Sequence, residues 1–248
     1  MKGDADIAKV GALVADPARV RILLALGDGR ALPASVLADE AGVAPSTASA
    51  HLGKLVDGRL LTVERHGRHR YFAFASQDVA ELIETLAKVA PPAPVRSLRE
   101  GTRAHAVRNA RTCYDHLAGV LGTQLMASML DRGLLTGGDG VFDHTTARED
   151  RLSAPGSDYD YRLTARGEDE LEQFGIDFAE LRSRPRPMVR YCVDWSEQRH
   201  HLAGSLGAAL ADRMFELRWV SRARRGRAVT VSDEGARGLE ETFGLTLS

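Results

Sequence analysis

Cysteine is scarce in this chain: two residues in 248, Cys113 and Cys192. Two thiols cannot make the disulfide framework of a small secreted domain, and they fit a reducing compartment. An excess of one charge is also missing. The 33 Lys and Arg residues against 34 Asp and Glu give a formal net charge of −1, so no global basic field exists and any surface for nucleic acid must be local. No uninterrupted apolar run approaches the roughly 20 residues that span a bilayer. The opening "MKGDADIAKV" lacks a signal-peptide core. A cytoplasmic protein with no membrane partner is expected. No P-loop, dinucleotide fingerprint or H-E-x-x-H occurs, so no cofactor is expected and no catalytic residue is assigned. What is present is the composition of a globular protein, 44% hydrophobic and 27% charged, long enough for one large core or two to three small ones.

Proline divides the chain. "APPAP" (90–94) and "RSRPRPMV" (182–189) cannot continue a helix, because each proline lacks an amide donor and restricts the residue before it. Three modules are expected: 1–91, 95–182 and 187–248. The last two look like copies. "CYDHLAGVLGTQLMASMLDRGLL" (113–135) and "CVDWSEQRHHLAGSLGAALADRMFELRWV" (192–220) share C-x-D, then HLAG-x-LG. Each leads, after an insertion, to a Thr/Ser-x-x-Gly turn and a helix ending "LEQFGI" (171–176) or "LEETFGL" (239–245). A degenerate internal duplication is the expectation; the competing explanation of the glycines is helix packing alone.

In the first module, "DPARVRILLALGDG" (16–29) offers Asp16 as N-cap and Pro17 at the first helical position. "LPASVLADEAG" (32–42) is a second helix closed by Gly42, and "VAPSTASAHLGKLVDGRL" follows after a tight turn. That pair of helices is the helix-turn-helix pattern. "LLTVERHGRHRYFAFA" (60–75) alternates apolar and polar residues on both sides of Gly67 and reads as a hairpin. Ser76 is placed to cap the next helix. The third helix starts with small or hydroxylated residues and turns apolar at Leu52, Leu55 and Val56. Small side chains let the backbone approach base edges and phosphates, so this is the expected recognition helix, with contacts from Pro45, Ser46, Thr47, Ser49, Ala50, His51 and Lys54. The hairpin is the expected wing, its Arg65, Arg68 and Arg70 suited to phosphate.

With these segments the chain resembles the ArsR-type winged-helix transcription regulators of bacteria, over residues 5–90. The resemblance implies a repressor that binds a double-stranded DNA operator as a homodimer, formed largely by the first and last helices of the domain, and is relieved by an effector. The expected fold class is mainly α with small β-hairpins (α+β): a winged helix-turn-helix followed by two degenerate winged-helix-like repeats. In many small members a C-x-C pair in the first helix of the helix-turn-helix, or Asp, His and Glu in the last helix, binds metal. Here "LPASVLADEA" has no thiol and "SQDVAELIETLAKVA" no His, so a small-molecule, thiol or metal signal is expected elsewhere. Cys113, Asp115, His116, Cys192, Asp194 and His201 are the candidate sensor residues, because thiolate, imidazole and carboxylate bind soft or borderline metals and thiols near His react with electrophiles. Buried structural thiols are the plainer alternative. An alternative of another class is a cysteine-dependent enzyme acting on an electrophilic or metal-organic substrate.

Overall fold

The computed structural model describes residues 4–67, 69–91, 94, 97–142, 160–223 and 226–247. The chain forms two compact units, one of residues 1–90 with 224–227 and the other of 91–223 with 228–248. The helix expected to begin at residue 32 starts instead at Ala34, after two residues of strand.

The first unit contains α1 (Ile7–Val14), α2 (Pro17–Ala25), β1 (Leu32–Pro33), α3 (Ala34–Ala41), α4 (Pro45–Asp57), β2 (Leu61–His66), β3 (His69–Phe74) and α5 (Gln77–Val89). Asp16 caps α2 by accepting from the amides of Ala18 and Arg19, with Pro17 in the first turn, which satisfies donors a helix start leaves unpaired. Gly42, left-handed at φ 68°, ends α3 and lets the chain turn into α4. Ser76 stands at the N-cap of α5, but its side chain makes no capping bond. The three strands form one antiparallel sheet in the order β1-β3-β2, and Gly67, at φ 61°, turns the hairpin between them. Ile22, Leu23, Leu26, Leu37, Leu52, Leu55 and Phe72 form the core. This is a winged helix-turn-helix with its wing made by β2 and β3.

The second unit runs α6 (Leu98–Asn109), β4 (Arg111–Cys113), β5 (His116–Ala118), α7 (Gly119–Asp131), β6 (Leu135–Thr136), β7 (Arg162–Leu163), α8 (Ala165–Phe174) and α9 (Phe178–Ser183). It continues β8 (Arg190–Val193), β9 (His200–Ala203), α10 (Gly204–Glu216), β10 (Val220–Arg222), β11 (Val229–Val231) and α11 (Asp233–Phe243). Hairpin, helix, hairpin, helix thus occurs twice. The register repeats too: Arg111 pairs with Ala118 and Cys113 with His116, while Arg190 pairs with Ala203 and Cys192 with His201.

Packing in this unit is reciprocal. Helix α7 lies on β9, and α10 lies on β5. Ser128 on α7 donates to the carbonyl of Phe243 at the end of α11; Arg213 on α10 donates to the carbonyl of Phe174 at the end of α8, at 3.0 Å. Leu117, Gly122 and Leu125 meet Leu202, Gly207 and Leu210 around one small apolar void. Thr164 and Ser232 cap α8 and α11 through the amides of Gly167 and Gly235. Added Cβ atoms at those glycines would stand 2.2 Å from the carbonyl oxygen of Leu134 and 2.1 Å from that of Trp219, so each helix starts directly against the strand segment before it. No helix among the described residues is long and apolar enough to cross a membrane.

Candidate functional site

Two sets of residues are positioned to act. The first is on α4 and the wing. Ala48, Leu52 and Leu55 are buried and fix the helix to the core, leaving Pro45, Ser46, Thr47, Ser49, Ala50 and Lys54 exposed. His51 is placed differently: its side chain is 15% exposed, and Nδ1 lies 3.5 Å from Arg19 Nη1 and 3.8 Å from Asp16 Oδ1. Hydrogen bonding to the Arg19 amide, with smaller charge contributions from His51 and Arg19, holds the Asp16 carboxyl below its usual range despite the opposing effect of desolvation. On the wing, Arg65 and Arg70 are exposed and directly opposite one another. Arg68 lies outside the described residues.

The second set is in the other unit. Cys113, His116, Cys192 and His201 come from two hairpins, and their ligating atoms all lie within 4.8 Å of one another. Each hairpin supplies a Cys and a His as cross-strand partners. The geometry follows from the strand period, because residues opposite each other in antiparallel strands present their side chains on the same face. The same period separates His201 from its neighbour His200, which hydrogen-bonds Tyr161 Oη at 2.8 Å instead. Cys113 is buried and Cys192 half-buried, and both are free thiols. The imidazoles of His116 and His201 are 5.2 Å apart between centroids.

Asp115 and Asp194 stand behind the imidazoles. His116 Nδ1 is 3.1 Å from Asp115 Oδ1, and His201 Nδ1 is 3.3 Å from Asp194 Oδ2, a charge contact without hydrogen-bond alignment. Arg186 holds Asp115 from outside. Asp194 is fixed more tightly: Oδ2 accepts from Arg111 at 2.9 Å and from the Gly119 amide at 2.7 Å, and Oδ1 from the Ser196 hydroxyl at 2.8 Å. The Arg111 guanidinium also lies 4.5 Å from the Trp195 ring centre.

The electrostatics of the cluster are polarised. Burial works against a charged His116, but its bonds to Asp115 and Cys192 raise it to about 9. Hydrogen bonding from Cys113, then from His116 and His201, pulls the Cys192 thiol well down against the cost of its burial. The Cys113 thiol, donating to Cys192 and desolvated, is pushed up. Within this small space the charged form is thus favoured at Cys192 and His116 and disfavoured at Cys113.

Arg111 was not among the expected site residues. In the sequence it follows Arg99, Arg103 and Arg108 as one more arginine of a helical stretch, whereas α6 ends at Asn109 and Arg111 opens a strand. The available signal was R-x-C, which precedes both copies of the motif at Arg111 and Arg190.

Residues 14–64 match the family model described as a helix-turn-helix domain. The chain is 40% identical over 242 residues, 98% of its own length and 99% of the relative's, to the uncharacterised HTH-type transcriptional regulator YdfF of Bacillus subtilis (strain 168). Among solved structures, it is similar to the winged helix-turn-helix fragment 1–100 of Mb0332 from Mycobacterium bovis, at 31% identity and a TM-score of 0.30, covering 35% of this chain and 86% of that one. The cadmium metal-sensor CmtR from Mycobacterium tuberculosis matches at 33% identity and a TM-score of 0.29, covering 37% of this chain and 99% of that one. With a helix-turn-helix and wing in place and a relative that matches from end to end, the chain belongs to the HTH-type transcriptional regulators.

Proposed function

We propose that the protein is a cytoplasmic, homodimeric DNA-binding repressor of the ArsR type, relieved by a signal received in its second unit. The observation that carries the reading is the division of α4: Ala48, Leu52 and Leu55 buried, and Ser46, Thr47, Ser49, Ala50 and Lys54 exposed on a helix flanked by a basic wing. Small polar side chains at the start of the helix give access to base edges in a major groove, and Lys54, Arg65, Arg68 and Arg70 supply phosphate contacts. His51 belongs to the reading as the residue joining the helix to Asp16 and Arg19, close to the same surface.

Dimerisation through the first and last helices of the domain is supported by their uncovered apolar side chains: Ile7 on α1, and Leu86 and Val89 on α5, are exposed. Residues 95–182 and 187–248 are read as two degenerate copies of one winged-helix-like module. The repeated register of their hairpins and the reciprocal bonds of Ser128 and Arg213 support this. Cys113, Asp115, His116, Cys192, Asp194 and His201 are the sensor group in this reading.

The test is a titration of the full chain with the duplex upstream of its own coding region and with a random duplex, at several salt concentrations. Tighter binding to the upstream duplex, two chains per site and a log–log slope of about −0.9 per phosphate contact are expected. Equal affinity for both duplexes would overturn the reading.

A further inference from the structure

Two imidazoles buried beside two thiols raise a question of hydrogen-bond satisfaction. Nε2 of His116, and both ring nitrogens of His201, are buried without a hydrogen-bonding nitrogen or oxygen partner. A buried polar atom left in that state is destabilising, and here three occur beside two sulfurs. Each imidazole directs Nδ1 toward a carboxylate, Asp115 or Asp194. That arrangement leaves Nε2 for an ion, as in carboxylate–histidine–metal relays, with the ion displacing the proton that His116 otherwise holds there.

We propose that Cys113, His116, Cys192 and His201 form a tetrahedral Cys2His2 site for one borderline-soft divalent ion of the zinc class, with Asp115 and Asp194 as outer carboxylates. Two sulfurs and two imidazole nitrogens exclude hard cations such as Mg2+ and Ca2+ and suit Zn2+. Metal–sulfur bonds of about 2.3 Å and metal–nitrogen bonds of about 2.0–2.1 Å place tetrahedral ligand atoms roughly 3.3–3.8 Å apart. The four ligating atoms, already within 4.8 Å of one another, need only a small contraction. Side-chain rotations at four residues on two short hairpins provide it.

The site has a structural consequence. Each hairpin contributes one Cys and one His, so neither binds the ion fully alone, and the ion crosslinks β4–β5 to β8–β9. The proposed copies would then share the metal about their pseudo-twofold relationship. As a statement about regulation this rests on the sensory reading of the second unit; as a statement about metal binding it does not.

The experiment uses the reduced, metal-stripped full chain, titrated with Co2+ and then Zn2+. One Co2+ per chain is expected, with the intense ligand-field bands of a tetrahedral ion and a thiolate-to-cobalt charge-transfer band, all displaced by one equivalent of Zn2+. Zinc should also shield both thiols from a thiol reagent and raise the melting temperature. Cys113→Ser and Cys192→Ser should each remove about half of the charge-transfer intensity, the double variant all of it, and Asp115→Asn should weaken the site about 10- to 100-fold. No stoichiometric uptake by the wild-type chain, or uptake with the weak spectrum of octahedral cobalt, would overturn the site without recourse to any variant. So would undiminished uptake by the double Cys→Ser variant. The same samples, titrated with the upstream duplex, separate the two readings. Zinc that changes DNA affinity at least fivefold supports a sensory ion, and zinc bound without such an effect overturns the sensory role while the site stands.

Discussion

Arg111 donates to Asp194 at 2.9 Å with both side chains wholly shielded from solvent. The pair joins the start of β4 to the end of β8, and Asp194 also accepts the amide of Gly119 at the start of α7. Breaking a buried pair by removing one partner leaves a charge without compensation and costs about 3–5 kcal/mol. Asp194→Ala should therefore destabilise the second unit by about that amount in urea unfolding. Replacing both partners with apolar residues of similar size, Arg111→Met with Asp194→Leu, should recover most of the loss. A double variant as unstable as the single one would show that hydrogen bonds to Ser196 and Gly119, rather than the ion pair, hold this corner.

Glycine is required at the start of both central helices for two reasons. Gly119 and Gly204 have φ of 75° and 83°, and an added Cβ would stand 2.4 Å from the Arg108 carbonyl oxygen and 2.6 Å from that of Met188. At Gly119 the obstacle is the last turn of the neighbouring helix α6, as helix packing predicts; at Gly204 it is the backbone around Met188 that leads into β8. Gly119→Ala or Gly204→Ala should each cost about 1–3 kcal/mol. Gly53 makes the comparison: it lies within α4, exposed, with open space around its missing Cβ. Gly53→Ala should stabilise the first unit by about 0.5–1 kcal/mol, read from thermal unfolding.

These contrasts show what was legible beforehand. From α2 to the wing the first unit could largely be read from local signals: Asp16 before Pro17, Gly42 after a short amphipathic run, alternation on either side of Gly67; β1, two residues long, left no such signal. The cluster was legible as a set of residue types, since C-x-D and HLAG recur. Its geometry was not, because Cys113 and His201 are 88 positions apart by their numbering and only the packing of β5 against β9 brings their hairpins together. The recurring HLAG does single out His201, the counterpart of His116, from its neighbour His200 one step of strand alternation away. Arg111 resembled its helical arginine neighbours until Ala110 adopted an extended conformation and ended α6.

On the recognition helix, Ser49 is exposed between buried Ala48 and Leu52. In the proposed function its hydroxyl reads a base edge, so Ser49→Ala should weaken binding to the upstream duplex by about 1–3 kcal/mol while leaving random-duplex affinity nearly unchanged. Equal losses on both duplexes would assign Ser49 to backbone positioning. His51→Ala is expected to behave differently, because its ring touches Arg19 and Asp16: unfolding of the first unit should shift along with DNA affinity.

Arg65 and Arg70 are cross-strand partners on the wing, both exposed. Like charges directly opposite in a hairpin are destabilising, on a scale of about 0.2–1 kcal/mol per pair. A hairpin selected for stability alone would place an opposite charge at one of the two positions; in the proposed function the pairing is the cost of presenting two cations to phosphate. Arg65→Gln should therefore have opposite effects on folding and binding. Thermal stability of the first unit should stay level or rise slightly as the repulsion is relieved. DNA affinity should fall on both specific and random duplexes, because a phosphate contact carries no sequence information. The log–log salt slope should flatten by about 0.9 for each lost contact, so by about 1.8 for the two wings of a dimer, and by about twice that when Arg70→Gln is added. A double variant with the wild-type salt slope would remove the wing from the DNA interface, leaving α4 to account for binding alone.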